Sequence, residues 1–84
     1  MVAVIIMPEA RKQLMRLPMW VQMDLRKVML ELAKWPQVSG AKPLHGELKG
    51  CFRKRYRDYR IVFTVQDDVL RVVKIGNRKD VYED

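Results

Sequence analysis

Apolar residues recur with a helical period in the second quarter of the chain, and this is its clearest pattern. The spacing alternates between four and three residues, which places them along one stripe of an α-helix. Pro36 follows directly and should end this helix. The stripe is therefore expected to be buried, and it consists of Val21, Leu25, Val28, Leu32 and Trp35.

The segment before this helix predicts one strand and one shorter helix. Residues 2–7 form an apolar, β-branched run that predicts a buried strand. Pro8 ends that run and suits the first turn of a helix, whose apolar residues continue at helical spacing to Leu17. Pro18 should break this helix and begin the next one.

The remainder of the chain predicts a loop followed by a β-meander. Residues 37–50 are rich in glycine, proline and serine, which is typical of a loop. Short turns are expected near Asp58 and at 66–68, separating strands at about 51–57, 59–66 and 69–76. The order β-α-α-β-β-β predicts one α+β domain over residues 1–84, a small antiparallel β-sheet with both N-terminal helices packed on one face.

Charge narrows the classes of partner. The 84 residues include 17 Lys and Arg against 10 Asp and Glu, a net charge of +7 that favours an anionic partner. Cys51 is the only cysteine, which excludes an internal disulfide and a thiolate-rich metal site and suits a reducing cytoplasm. The apolar N-terminal run is too short to span a membrane, so no membrane partner is expected.

The sequence GCFRKRYRDYRIVF, residues 50–63, concentrates this charge within predicted strands. Because side chains alternate along a strand, the arginines at 53, 55 and 57 should share one face. Arg60 of the next strand should join them on the helix-free side of the sheet. Four guanidinium groups on one face repel each other unless anions bind there. The alternative is a solvated edge whose charge opposes aggregation.

Residues 42–82 also carry an ordered set of motifs, and through them the chain resembles the C-terminal half of RelE/ParE-superfamily toxins. The matching positions are Pro43-Leu44, Gly46, Leu48, Gly50, Phe52-Arg53, Arg55, Asp58-Tyr59-Arg60, Phe63, Val65, Ile75-Gly76, Arg78 and Val81-Tyr82. The resemblance is to the RelE-like branch, and it implies a cytoplasmic toxin of a type II toxin–antitoxin system. Such a toxin is expected to cut mRNA on the ribosome by 2′-OH transesterification, without a metal or other cofactor.

The resemblance also assigns candidate site residues. It implies catalytic roles for Arg53, Arg55, Arg60, Arg78 and Tyr82, and RNA-binding roles for Arg53, Arg55, Arg57, Arg60 and Tyr82. Arg55 stands where the RelE toxin has a lysine proposed as general base, and arginine is a poor base because it stays protonated. His45 is another candidate. Two alternatives stay open: a ParE-like inhibitor of DNA gyrase, which would share the fold, and a catalytically inactive binding protein, which the departure at Arg55 allows.

The opposite side of the second helix suggests a protein-binding surface. Met19, Met23 and Leu30 lie away from the buried stripe, where a two-layer fold offers no internal partner. Methionine is common on adaptable binding surfaces. We therefore expect these residues to contact a cognate antitoxin or a second copy of the chain. The resemblance implies that the toxin–antitoxin complex is oligomeric.

Overall fold

The computed structural model describes residues 1–77, and its α-helices and strands follow the predicted order with one additional strand. The two helices are α1, Pro8–Met15, and α2, Met19–Leu32. The strands are β1 (Ala3–Ile6), β2 (Ala41–Pro43), β3 (Phe52–Tyr56), β4 (Tyr59–Gln66) and β5 (Val69–Asn77). The α+β architecture with both helices on one sheet face is confirmed.

The five strands form one sheet in the order β1-β5-β4-β3-β2. Strands β2 to β5 pair antiparallel, as the meander requires, whereas β1 pairs in parallel with β5 at the sheet edge. The short strand β2 was missed because it lies inside the segment predicted as a loop. Its three residues are too few to show an alternating pattern.

The core lies between the helices and one face of the sheet, and the predicted stripe of α2 supplies its centre. Val21, Leu25 and Leu32 are 0% exposed, and Val28 is 8% exposed. Trp35 lies beyond the end of α2, where its ring packs edge-on against two aromatic rings of the sheet. The centroid distances are 4.9 Å to Phe52 and 5.5 Å to Phe63. The stripe prediction is therefore confirmed, although the helix ends earlier than Pro36.

A bulge between β4 and β5 decides which side chains of β5 share a face. Lys74 lies opposite Val62, while Val72 lies opposite the next residue of β4, Phe63. Val73 is therefore the extra residue, and the alternation restarts beyond it. In a regular strand, positions 71 and 74 would lie on opposite faces of β5 because they are three residues apart; the bulge places them on the same face.

Both predicted hairpin turns are present. At the β4–β5 turn, Asp67 and Asp68 have φ values of 54° and 62°, a left-handed backbone that aspartate tolerates better than most residues. Within residues 1–77, neither helix is long and apolar enough to cross a membrane.

Candidate functional site

Basic side chains cover the face of the sheet that carries neither of the helices found within residues 1–77. The strand register places these side chains on one face, because residues paired directly across neighbouring strands point to the same face of the sheet. Strands β2 to β5, all within the described residues, contain no aspartate or glutamate to neutralise them. We call this surface the basic face, and it comprises Lys42, Arg53, Arg55, Arg60, Arg71 and Lys74.

The basic residues lie in register across the strands. One row runs from Lys42 through Arg53 and Val62 to Lys74. In the neighbouring row, Arg55 lies directly opposite Arg60. Directly opposite residues of antiparallel strands have Cβ atoms about 5 Å apart, and like charges there repel. The predicted convergence of these three arginines on the helix-free face is confirmed.

Exposure differs sharply among these side chains. Lys42 and Arg55 are exposed, whereas Arg53 and Arg60 are only 5% and 4% exposed. The guanidinium of Arg60 turns toward the β3–β4 turn, where Nη1 donates to the carbonyl oxygens of Arg57 at 3.3 Å and Tyr59 at 3.2 Å. These carbonyl dipoles offset part of its repulsion with Arg55. Arg55 is therefore the arginine of this row that a large anion reaches first.

Arg57 does not join the basic face, so its predicted placement there was wrong. Its backbone has φ of 54°, and the left-handed conformation interrupts the strand alternation. The side chain lies on the helix side instead, with its guanidinium carbon 5.9 Å from the ring centroid of Trp20. Its Nε donates to the hydroxyl of Tyr56 at 3.2 Å, and that hydroxyl donates to the carboxylate of Asp24.

The hydrogen bond with Tyr56 also affects the protonation of Arg57. This bond, followed by the electrostatic interaction with the same phenol and with Asp24, raises the pKa of Arg57 above its ordinary value. The guanidinium of Arg57 therefore carries its positive charge at neutral pH.

The other predicted site residues are distributed as follows. Arg78 and Tyr82 lie outside the described residues. His45 is exposed and precedes a short 3₁₀ helix, Gly46–Leu48, in the β2–β3 connection. Within residues 1–77, no group of three His, Cys, Asp or Glu side chains is placed to hold a metal ion.

Sequence reasoning missed three members of the basic face: Lys42, Arg71 and Lys74. Lys42 fell within the predicted loop. The other two are three positions apart, which would put them on opposite faces of a regular strand. The bulge at Val73 brings both side chains to the same face. In the sequence, the only sign of this shared face is that both residues are basic.

The outer side of α2 carries the three apolar residues predicted for a protein contact. Met19, Met23 and Leu30 are 67%, 55% and 72% exposed, which confirms that they lie away from the core. Leu30 also lines an apolar groove of about 360 Å³ between α2 and the edge strand β1. The other lining residues are Val4, Ile6, Arg26, Met29 and Ala33.

Comparison with known proteins identifies similar sequences and folds. A profile of the family described as the ParE toxin of the type II toxin–antitoxin system parDE matches residues 4–82. No curated protein sequence matches the chain. A chain of the toxin–antitoxin complex RelBE2 from Mycobacterium tuberculosis superposes with a TM-score of 0.81 at 23% identity, covering 92% of this chain and 91% of that one.

Two further structures have the same fold. The isolated RelE toxin of E. coli gives a TM-score of 0.76 at 23% identity, with coverage of 92% of this chain and 84% of that one. A copper-bound mutant toxin from Helicobacter pylori gives 0.74 at 20% identity, covering 98% of this chain and 100% of that one. At these identities, the structural similarity shows the fold alone.

Proposed function

The chain belongs to the ParE toxin family of type II toxin–antitoxin systems, and we propose that this toxin acts in the cytoplasm as a ribosome-dependent mRNA endoribonuclease. The observation that carries the proposal is the basic face, which brings Arg53, Arg55 and Arg60 together on two paired strands. A guanidinium binds phosphate oxygens through two parallel N–H groups, so arginine suits a site that must hold an RNA backbone.

The reaction requires charge stabilisation more than any bound cofactor. The ribose 2′-oxygen attacks the adjacent phosphorus, the bond from phosphorus to the 5′-oxygen breaks, and the products are a 2′,3′-cyclic phosphate and a free 5′-hydroxyl. Negative charge grows on the non-bridging oxygens in the transition state, and fixed donors there lower the barrier. In this proposal Arg55 binds the phosphate from the exposed side, and Arg60 contributes positive charge from the directly opposite position on β4.

Two proton transfers remain to be assigned. The 2′-hydroxyl must lose a proton, and the leaving 5′-oxygen must gain one. Arginine is a poor general base, so Arg55 is assigned to charge stabilisation and not to proton transfer. His45 is the titratable candidate on the β2–β3 connection. If it transfers a proton, His45→Ala will abolish one limb of the pH–rate profile; an unchanged profile excludes it.

Primer extension in a translating extract tests the proposed activity. We expect cuts within codons that appear only while ribosomes translate, with a 2′,3′-cyclic phosphate on the upstream product. The family match also leaves gyrase inhibition as a second candidate. Blocked DNA supercoiling with intact mRNA would contradict the ribonuclease and support the gyrase inhibitor. Intact mRNA together with normal supercoiling would favour an inactive binding protein.

We also propose that the antitoxin binds the outer side of α2, where Met19, Met23 and Leu30 are exposed. Arg26 falls on the same helical stripe and lines the groove beside Leu30. A second copy of this basic chain would bring like charge to Arg26, whereas an acidic side chain would pair with it. The chemistry therefore favours an amphipathic antitoxin segment with acidic residues beside its apolar ones.

A double variant tests this surface. Met23→Glu with Leu30→Glu should leave the isolated domain folded and weaken binding of the cognate antitoxin, because apolar contacts are lost and acidic groups repel. Met15→Glu is the matched control, since Met15 is 63% exposed but lies on α1. Unfolding of the double variant would assign these residues to the core, and parental affinity would place the antitoxin elsewhere.

A further inference from the structure

In the β3–β4 turn, Arg57 adopts a backbone conformation that arginine does not favour. Arg57 adopts φ of 54°, in the left-handed region that glycine, asparagine and aspartate occupy more readily. At the β4–β5 turn, by contrast, aspartates occupy the two left-handed positions. Unfavourable backbone geometry of this kind persists where surrounding contacts hold it, and such places are often functional.

The contacts that hold the turn come first from the helix side. Tyr56 donates its hydroxyl hydrogen to Asp24 of α2 and accepts one from Nε of Arg57. The guanidinium of Arg57 also lies over the ring of Trp20, also on α2, at a distance suited to a cation–π interaction. The turn is thereby tied to the N-terminal half of α2 by a polar cluster beside the apolar core, against which Tyr56 also packs.

The basic face supplies the second set of contacts. Arg60 donates through Nη1 to the carbonyl oxygens of Arg57, which lies in the turn, and Tyr59, which begins β4. The direction of these carbonyl groups therefore helps to set where the guanidinium of Arg60 points. A change in the backbone at Arg57 would move that guanidinium relative to Arg55, which lies directly opposite on β3.

We propose that Asp24, Tyr56 and Arg57 are positioning residues that act through the turn to hold the guanidinium of Arg60 in place beside Arg55. The consequence for cleavage rests on the proposed ribonuclease function, whereas the consequence for the geometry of Arg60 does not. The hydroxyl of Tyr56 connects the carboxylate of Asp24 on α2 to the side chain of Arg57. Removing this hydroxyl therefore tests the proposal most directly.

Tyr56→Phe removes this hydroxyl and keeps the ring. Tyr59→Phe is the matched control, because Tyr59 pairs with Tyr56 across the strands and packs partly buried against the same core. The first readout is the NMR signal of the Nε–H group of Arg60 in the protein without RNA, assigned by its loss in Arg60→Lys. We expect a shift in Tyr56→Phe and none in Tyr59→Phe; a signal unmoved in Tyr56→Phe overturns the proposal.

The second readout is a double-mutant cycle on mRNA cleavage. Tyr56→Phe alone should slow cleavage about 10-fold, since a small displacement of a catalytic group is enough for such a loss. In the background of Arg60→Ala it should slow cleavage no further, because the residue through which it acts is gone. Equal losses in both backgrounds would show a general structural effect and overturn the proposal.

The two readouts separate this proposal from the function. If the parent protein cuts no mRNA, the ribonuclease is excluded, and the Arg60 signal still decides whether the cluster positions that residue. If Tyr56→Phe fails to fold, Asp24→Asn removes the carboxylate charge from the same chain of contacts and is measured in the same way. It should shift the Arg60 signal in the same direction; an unmoved signal overturns the proposal.

Discussion

The two faces of the sheet are built from alternate residues of the same strands, yet different forces determine them. On the helix side, Ile61 and Phe63 are fully buried among apolar side chains of both helices. On the other side, Arg60 and Val62 are also buried, but the neighbouring positions are occupied by cations. The helix side is thus stabilised by the removal of apolar surface from water. The basic face brings positive charges together, and their repulsion lowers the stability of the fold.

If the proposed function is correct, stability and activity depend largely on separate faces of the sheet. A residue on the helix side contributes through packing, which any apolar group of the right size can supply. A residue on the basic face contributes through the position of its charge, which the fold must hold against repulsion. Substitutions on the two faces should therefore affect different measurements.

The largest expected effect is a loss of stability when a residue at the centre of the apolar face is truncated. Phe63 is fully buried and packs against Trp35 and Phe52. Phe63→Ala should lower the free energy of unfolding by about 3–5 kcal/mol, because apolar contacts are lost and a cavity remains. Denaturant unfolding measures it.

The adjacent residue provides the control for this comparison. Val62 is equally buried but faces the other way, and it is absent from the apolar core cluster. Val62→Ala should lower the free energy of unfolding by only about 1–3 kcal/mol, from its smaller apolar group. Equal losses for the two variants would contradict the view that apolar packing is concentrated on the helix side.

The next effect is on activity rather than stability. Arg60→Ala should lower the rate of mRNA cleavage by about 10-fold or more, because transition-state charge would be less stabilised. Arg16→Ala removes the same charge from an exposed position at the end of α1 and should leave the rate near that of the parent. Primer extension gives both rates, and parental cleavage by Arg60→Ala would show that Arg60 has no catalytic role.

The smallest expected effect concerns the salt dependence of binding to a single-stranded RNA oligonucleotide. Each phosphate neutralised on a single strand contributes about 0.7 to the slope of log K against log salt concentration. Lys42→Gln removes an exposed cation of the basic face and should reduce the slope by about that amount, whereas Lys12→Gln on α1 should not. Equal slopes for both variants would mean that RNA does not contact the face at Lys42.

Sequence patterns predicted most of the scaffold because its elements follow local rules. The stripe of α2 has one period throughout, and prolines lie before and after it, so the helix and its buried side could be predicted together. The two short turns were found from their residue types and from the runs on either side. The strand alternation correctly placed Arg53, Arg55 and Arg60 on one face.

The errors arose where distant contacts override local alternation. Arg57 leaves the basic face because its turn is held by Trp20 and Asp24, whose proximity no local pattern indicates. Strand alternation puts Lys54 on the apolar side of β3, but its amine reaches the carbonyl oxygen of Ser39 in the loop before β2, a contact that no local pattern indicates. The burial of Arg53 likewise depends on tertiary structure, because alternation assigns a side but not an exposure.

The measurement that tests the account most directly compares two charge-matched triple variants in the translating extract. One replaces Lys42, Arg55 and Lys74 of the basic face with glutamine, and the other replaces three exposed cations elsewhere: Arg11, Lys12 and Lys34. Circular dichroism would establish that both are folded. If the basic face is the active surface, the first variant should lose cleavage by about 100-fold or more, while the second stays within about threefold of the parent. Equal losses would attribute activity to net charge alone, and parental cleavage by the first variant would contradict the assignment of the basic face.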